Sequence, residues 1–176
     1  FLIGGTAGRT TLNGEGLQHE DGHSHLLAST IPNCRSYDPT YGYELAVIIR
    51  EGARRMMEEQ ENVYYYLTVM NEAYTQPAMP KGKGVEDGIM RGMYLLDSTG
   101  KPGDLHVQLM GSGTILREVR EAAAILKSDF GVSADIWSVT SFNELRRDGL
   151  AVERDNRLHP TRKPKTSFVK QCLDKR

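Results

Sequence analysis

From residue 105 onward the chain alternates short strand-like runs with amphipathic helices, and the links between them are only a few residues long. The run at 105–110 ends in the turn Gly111-Ser112-Gly113. Ile115, Val119, Ala122 and Leu126 then recur at the spacing of one helix face, and Gly131 closes that helix. A second run at 135–139 leads into Ser141-Phe142-Asn143-Glu144, the Ser-x-x-Glu pattern of a capped helix start. Strand–helix–strand–helix order with short links demands parallel strands joined by right-handed crossovers. The expectation is an α/β fold built on a parallel sheet.

The first half follows the same rule less cleanly. The chain opens inside an apolar strand, Phe1-Leu2-Ile3, and a short helix is expected over 25–31, ending before Pro32. Asp38-Pro39 predicts a helix start, with Asp38 as N-cap and Pro39 in the first helical position. Leu45, Ile48, Ile49, Gly52 and Met56 mark the buried face of that helix. The β-branched and aromatic run at 63–69, which includes Tyr64, Tyr65 and Tyr66, predicts a buried strand. Residues 71–104 carry Pro77, Pro80, Gly82, Gly84 and the Lys101-Pro102-Gly103 turn around one apolar segment at 89–96. This reads as an interdomain connection with a strand or hairpin in it. The chain lacks an initiator Met and ends on Asp174-Lys175-Arg176 without a closing element, so an incomplete piece of a longer protein is expected.

Composition excludes several classes. Apolar residues at 39% and charged residues at 26% describe a globular protein rather than a disordered one. A net charge of −1 leaves no field to hold nucleic acid or an anionic membrane, and the basic stretch at 157–170 reads as a solvated terminus. The tyrosine triplet has no basic stripe beside it and is expected to pack rather than stack on bases. The longest apolar stretches, such as 45–49, fall far short of the ~20 residues of a membrane span. Cys34 and Cys172 lie far apart without metal-ligand spacing and are expected as reduced thiols of a cytoplasmic protein.

The chemistry concentrates in residues 6–25. Within it residues 6–22 are rich in Gly, Thr, Asn and His with neither helical nor strand period, and long irregular segments often carry function. It holds Glu15, His19, Glu20, Asp21, His23 and His25, so three of the five histidines of the chain fall within seven residues. Histidines grouped this way suit proton transfer near neutral pH. The plainer alternative is a surface loop whose histidines only bond to backbone. His19-Glu20-Asp21-Gly22-His23 also matches the H-E-x-x-H motif of zinc proteases, with Glu44 as a conceivable third ligand. That motif works on a helix, whereas Asp21-Gly22 is a turn dipeptide and a helix-interior Gly costs roughly 1 kcal/mol. Zinc hydrolysis therefore stays a minor alternative, and no metal is expected at these residues. Gly111-Ser112-Gly113 lacks the third glycine of a dinucleotide fingerprint, which would fall at Leu116, and reads as a tight turn.

The stretch from Gly4-Gly5-Thr6-Ala7-Gly8-Arg9-Thr10-Thr11-Leu12-Asn13-Gly14-Glu15-Gly16-Leu17-Gln18 to His19-Glu20-Asp21-Gly22-His23-Ser24-His25 closely resembles the homodimeric bacterial pyruvate dehydrogenase family. That family supplies the decarboxylating component of a multienzyme complex. Matching stretches follow in the same order: Ile31-Pro32-Asn33-Cys34 with Tyr37-Asp38-Pro39, then Glu61-Asn62-Val63-Tyr64-Tyr65-Tyr66. The last is Gly111-Ser112-Gly113 with Leu116-Arg117-Glu118-Val119-Arg120-Glu121-Ala122-Ala123. The resemblance covers essentially the whole chain and implies parts of two transketolase-like parallel-sheet lobes. Residues 1–75 would be the later part of a pyrimidine-binding domain, 76–104 a linker, and 105–176 the start of a transketolase-like C-terminal domain.

The implied activity is oxidative decarboxylation of pyruvate with thiamine diphosphate and magnesium. The acetyl unit would pass to a lipoyl group of an acyltransferase component, and the parent enzyme would be a cytoplasmic homodimer. By this resemblance His19 is a proton donor or hydrogen-bond partner to the substrate-derived oxygen, Glu15 lies in the same pocket, and Asp21 and His25 form a substrate-side pair with His23 ranked after them. Another thiamine enzyme of the transketolase superfamily is the alternative, and a non-catalytic interaction domain a further one. The Gly-Asp-Gly…Asn signature that holds magnesium and the diphosphate does not occur in this sequence. The glutamate that activates the aminopyrimidine ring would lie ahead of Phe1, so cofactor ligands are expected outside the chain and an isolated segment is expected to be inactive. Asp155 stands where the resemblance expects Trp, which puts the packing of the second lobe in question there.

Overall fold

The computed structural model describes residues 1–5, 21–70, 72–100 and 104–174, and they form two three-stranded sheets flanked by helices. In the first sheet β1 (Leu2–Gly4) and β2 (Cys34–Tyr37) lie parallel on either side of β3 (Tyr64–Thr68). The side chains of β3 alternate as a pleated strand requires. Tyr65 and Leu67 are fully buried, and Tyr65 stacks on Tyr37 with ring centroids 6.0 Å apart, while Tyr64 and Tyr66 are half-buried. The opening strand β1 is an edge strand, and Leu2 and Ile3 are more exposed than its apolar sequence suggests. The helix α1 (Ser24–Ala28) precedes β2 and stops short of the expected 25–31.

The helix α2 (Gly42–Ala53) connects β2 to β3 and runs on through a π-helical turn at Arg54–Glu58. It starts three residues later than the Asp38-Pro39 reading allows, because Asp38 is drawn away to other partners described below. Its buried positions are Glu44, Val47, Ile48 and Gly52, whereas Ile49 turns out to solvent. The rotation has a cause at each end. Glu44 is pulled inward by hydrogen bonds, and Gly52 lies so close to the sheet that a Cβ there would sit 3.0 Å from both Phe1 and Tyr65.

In the second sheet β6 (Ser133–Ser138) is central and buried at every position, with β5 (His106–Gly111) parallel to it on one side. On the other side β4 (Tyr94–Ser98) runs antiparallel, so this sheet is mixed rather than wholly parallel. The segment expected as a connection supplies both β4 and a helix, α3 (Val85–Arg91), which packs on α2. Gly92, at φ 107°, turns the chain from α3 into β4, and only residues 99–105 join β4 to β5, less than the roughly dozen residues that a crossover to a parallel strand needs. The helix α4 (Ile115–Phe130) connects β5 to β6 and ends on Gly131 at φ 66°. It buries Leu116 and Ala123, with Val119 packed beside them, one step around from the expected Ile115 and Ala122. The helix α5 (Phe142–Leu158) is capped by Ser141, whose Oγ accepts the Glu144 N–H at 3.0 Å, and α6 (Phe168–Leu173) packs against it. Asp155 forms an ion pair with Lys165 at 3.1 Å. Among the described residues Cys34 and Cys172 form no disulfide, and no helix is long and apolar enough to cross a membrane.

The two sheets meet on a buried carboxylate. Glu44 is fully buried; its Oε2 accepts the backbone N–H groups of Thr40 (2.6 Å) and Tyr41 (3.0 Å), where α2 begins. Its Oε1 accepts the hydroxyls of Tyr94 on β4 (2.7 Å) and Ser138 on β6 (2.6 Å). Tyr43 lies 2.5 Å from the Tyr94 hydroxyl, and because Tyr94 donates to Glu44, Tyr43 must be the donor to Tyr94. The start of α5 closes the same boundary. Ser141 donates to the Ser36 carbonyl at 2.6 Å, Arg35 pairs with Glu144 at 2.9 Å, and Arg147 reaches the carbonyls of Pro32 and Cys34.

Two expectations follow from this polar core. Glu44→Ala would strand two hydroxyls and two backbone N–H groups, and each buried orphan is costly, so a loss of roughly 3–5 kcal/mol in chemical denaturation is expected. A loss under about 1 kcal/mol would show that water or rearrangement replaces the carboxylate. Burial, and behind it the Glu44 charge, pushes the Tyr74 hydroxyl up to about 12 and the Tyr94 hydroxyl higher still; burial likewise raises Tyr43. A group whose folded pKa lies above its unfolded one stabilises the protein fully below the unfolded pKa, about 10 for tyrosine, and loses that contribution above it. Stability should therefore hold to about pH 10 and fall between pH 10 and 12, with most tyrosinate absorbance appearing together with unfolding rather than before it.

Candidate active site in the interlobe cleft

Beyond Tyr37, where β2 ends, the chain carries Asp38 across the boundary between the sheets. The Asp38 backbone N–H donates to the Thr140 carbonyl at 2.8 Å, and its carbonyl accepts from Gly113 N–H at 3.2 Å. Its carboxylate, 8% exposed, is held by both lobes. Thr68 at the end of β3 donates to Oδ1 at 2.5 Å, and Ser112 at the end of β5 donates to Oδ2 at 2.6 Å. This approach explains the glycine turn. Gly113 has φ 52°, and a Cβ there would lie 2.8 Å from one Asp38 carboxylate oxygen and 2.9 Å from the other. The turn thus serves a side-chain anion of the same chain, which occupies the Ser112 hydroxyl that a phosphate would otherwise take.

Above this anchor lies a cavity of about 310 Å³, lined by His25, Asp38, Ser112, Asn143, Ile115 and Phe142 among others. Its position, at the carboxyl ends of β2, β3 and β5 where two helices begin, is where open α/β sheets bind ligands. His25 enters from α1. Its Nε2 lies 3.0 Å from Thr68 Oγ1, its ring packs 5.4 Å from that of Tyr66, and its carbonyl accepts from Asn143 Nδ2 at 2.8 Å. The histidine is thereby held by both lobes, Thr68 on one side and Asn143 on the other.

The other expected site residues separate. Asp21 caps α1 by accepting from the Ser24 N–H at 3.2 Å and from the Ser24 hydroxyl. His23 is exposed at the entrance of α1, with its carbonyl accepting the Leu27 N–H at 2.9 Å. Glu15 and His19 lie outside the described residues, as does Glu20. Of the residues expected to carry chemistry, His25 alone among the described ones borders the cavity. Sequence reasoning missed Asp38, Thr68, Ser112 and Asn143. Asp38 was legible as a special residue and misread as a helix cap; Ser112 and Asn143 lay within a recognised turn and a recognised cap that gave no hint of their role, and Thr68 carries no local signal.

The zinc set suggested by the sequence includes His19, which lies outside the described residues. Among the described residues no three His, Cys, Asp or Glu side chains converge to hold a cation. Glu44, the third ligand of a zinc reading, has both oxygens committed to the four donors above. Asp38, the one carboxylate among the described residues bordering the cavity, is likewise committed, so the described residues do not fit a magnesium–diphosphate group.

A family model described as pyruvate dehydrogenase E1 component middle domain matches residues 1–77, and one described as transketolase-like TK C-terminal domain matches residues 92–176. A pyruvate dehydrogenase E1 component from Pseudomonas aeruginosa is 75% identical over 173 residues, 98% of this chain. One from Escherichia coli is 60% identical over 176 residues, 99% of the chain. The chain spans about a fifth of the length of these relatives, 19% in each case. A crystal structure of a transketolase mutant from Pichia stipitis superposes with a TM-score of 0.55 over 82% of this chain and 19% of that chain, at 16% identity, which is a likeness of fold.

Proposed function

The chain belongs to the pyruvate dehydrogenase E1 family, and from that premise we propose that it is the segment of a pyruvate dehydrogenase component that carries part of the proton-handling site. The observation that carries the reading is identity of 75% over 173 residues, 98% of this chain. In this reading the longer protein oxidatively decarboxylates pyruvate and passes the acetyl unit to a lipoyl group on an acyltransferase component. It works as a cytoplasmic homodimer. Residues 1–75 are the later part of the pyrimidine-binding domain, 76–104 the linker and 105–176 the start of the C-terminal domain.

Thiamine diphosphate with magnesium would supply the electron sink for decarboxylation. Its charged half does not fit the described residues, so its ligands are assigned to other parts of the longer protein, and this chain alone is inactive. The part given to this chain is orientation and proton transfer. His19, with Glu15 beside it, is the proton donor at the substrate-derived oxygen, and His25 is a second proton-handling group at the cleft. Asp21 and His23 serve the same segment, Asp21 by fixing the start of α1 through Ser24.

In the intact parent enzyme His19→Ala should lower turnover by roughly 10²–10⁴-fold, the range of a positioned acid–base group. Cofactor affinity should hardly change, because the diphosphate ligands lie elsewhere. A histidine that only makes one backbone hydrogen bond would instead lower stability by about 0.5–1.5 kcal/mol and leave turnover near normal. Steady-state rates and thermal melts on the same variant separate the two outcomes, and near-normal turnover would remove His19 from the site.

A further inference from the structure

The hydrogen bonds that lead from Asp38 to His25 have directions set by the group at their far end. An ionised carboxylate can only accept. Thr68 Oγ1 lies 2.5 Å from Asp38 Oδ1, a separation at which two oxygens without a proton between them would repel. The single hydroxyl proton of Thr68 is therefore spent on Asp38, which is nearer than the Tyr37 carbonyl at 3.3 Å. Thr68 has only a lone pair to offer His25 Nε2 at 3.0 Å, so that contact is favourable only when the ring carries hydrogen on Nε2.

We infer that Asp38 and Thr68 are positioning residues that hold His25 as its Nε2–H tautomer, so that any proton His25 gives or takes moves at Nδ1. The second lobe takes part. Ser112 donates to the other oxygen of Asp38, Gly113 N–H holds the Asp38 carbonyl, and Asn143 holds the carbonyl of His25. The C-terminal lobe thereby acquires a role in the site although none of its side chains is assigned to proton transfer. The inference rests on the reading of His25 as a proton-handling group only for its kinetic consequence; the tautomer itself can be observed directly.

The test uses the intact parent enzyme labelled with ring-15N histidine, the His25 signals being identified by their loss in His25→Asn. At neutral pH His25 should show a protonated, pyrrole-like Nε2 and an imine-like Nδ1. Thr68→Val, which removes the acceptor, should give a mixture of tautomers, and Thr68→Ser should restore the single form. Turnover should follow, falling by roughly 10–10³-fold in Thr68→Val at little-changed KM and returning largely in Thr68→Ser. An unprotonated Nε2 in the wild-type enzyme overturns the inference, and so does a Thr68→Val spectrum identical to wild type. The wild-type spectrum decides by itself should Thr68→Val not fold. If the tautomer is fixed and then lost as expected while turnover of Thr68→Val and His25→Asn stays within about threefold of wild type, the positioning role stands and the proton-handling reading of His25 fails.

Discussion

A carboxylate removed from water must find donors for both of its oxygens, and Glu44 and Asp38 complete their sets only with donors from across the boundary between the two sheets. Each takes one set of donors from the first lobe and another from the second: Thr40 and Tyr41 against Tyr94 and Ser138 for Glu44, and Thr68 against Ser112 for Asp38. Separating the lobes would leave both anions half-solvated and their partners exposed. Such buried charges add little net stability over an apolar contact, because their desolvation offsets most of the attraction. What they provide here is a single relative placement of the lobes, since apolar packing alone tolerates sliding and six fixed donors do not.

That placement makes the cleft. Parallel strands end together, so β2, β3 and β5 deliver Asp38, Thr68 and Ser112 to one level, and the starts of α4 and α5 close over them. His25 rests on this platform with its ring on Thr68 and its carbonyl on Asn143. For the proton-handling role proposed for His25, one ring nitrogen must be held while the other exchanges, and Thr68 backed by Asp38 offers that hold.

The parts of the fold governed by local rules were legible in advance. Strands β3, β5 and β6, the glycine stop at Gly131 and the Ser141 cap all follow from period, turn chemistry and capping. Where tertiary contacts competed with local preference, the sequence misled. The buried stripe of α4 runs through Leu116 and Ala123 rather than Ile115 and Ala122, because Ile115 faces the cleft and Leu116 the sheet. Asp38 before Pro39 has the signature of a helix cap, yet its carboxylate goes to Thr68 and Ser112, 30 and 74 residues away along the chain, which no local pattern encodes. The strand β4 was visible as an apolar segment, but its antiparallel direction depends on the short link from β4 to β5 and on its pairing with the distant β6. Of the histidine cluster only its common location near residue 25 could be read. That His25 lines the cavity while His23 faces solvent depends on the pitch of α1 against β3.

If the two carboxylates bind the lobes into one structure, the chain must unfold as one. Scanning calorimetry tests this most directly, by comparing the heat absorbed with the enthalpy inferred from the sharpness of the transition. The account predicts a single endotherm in which the calorimetric and van't Hoff enthalpies agree. Two resolved transitions, or a van't Hoff enthalpy near half the calorimetric one, would mean that the lobes melt independently and would contradict it.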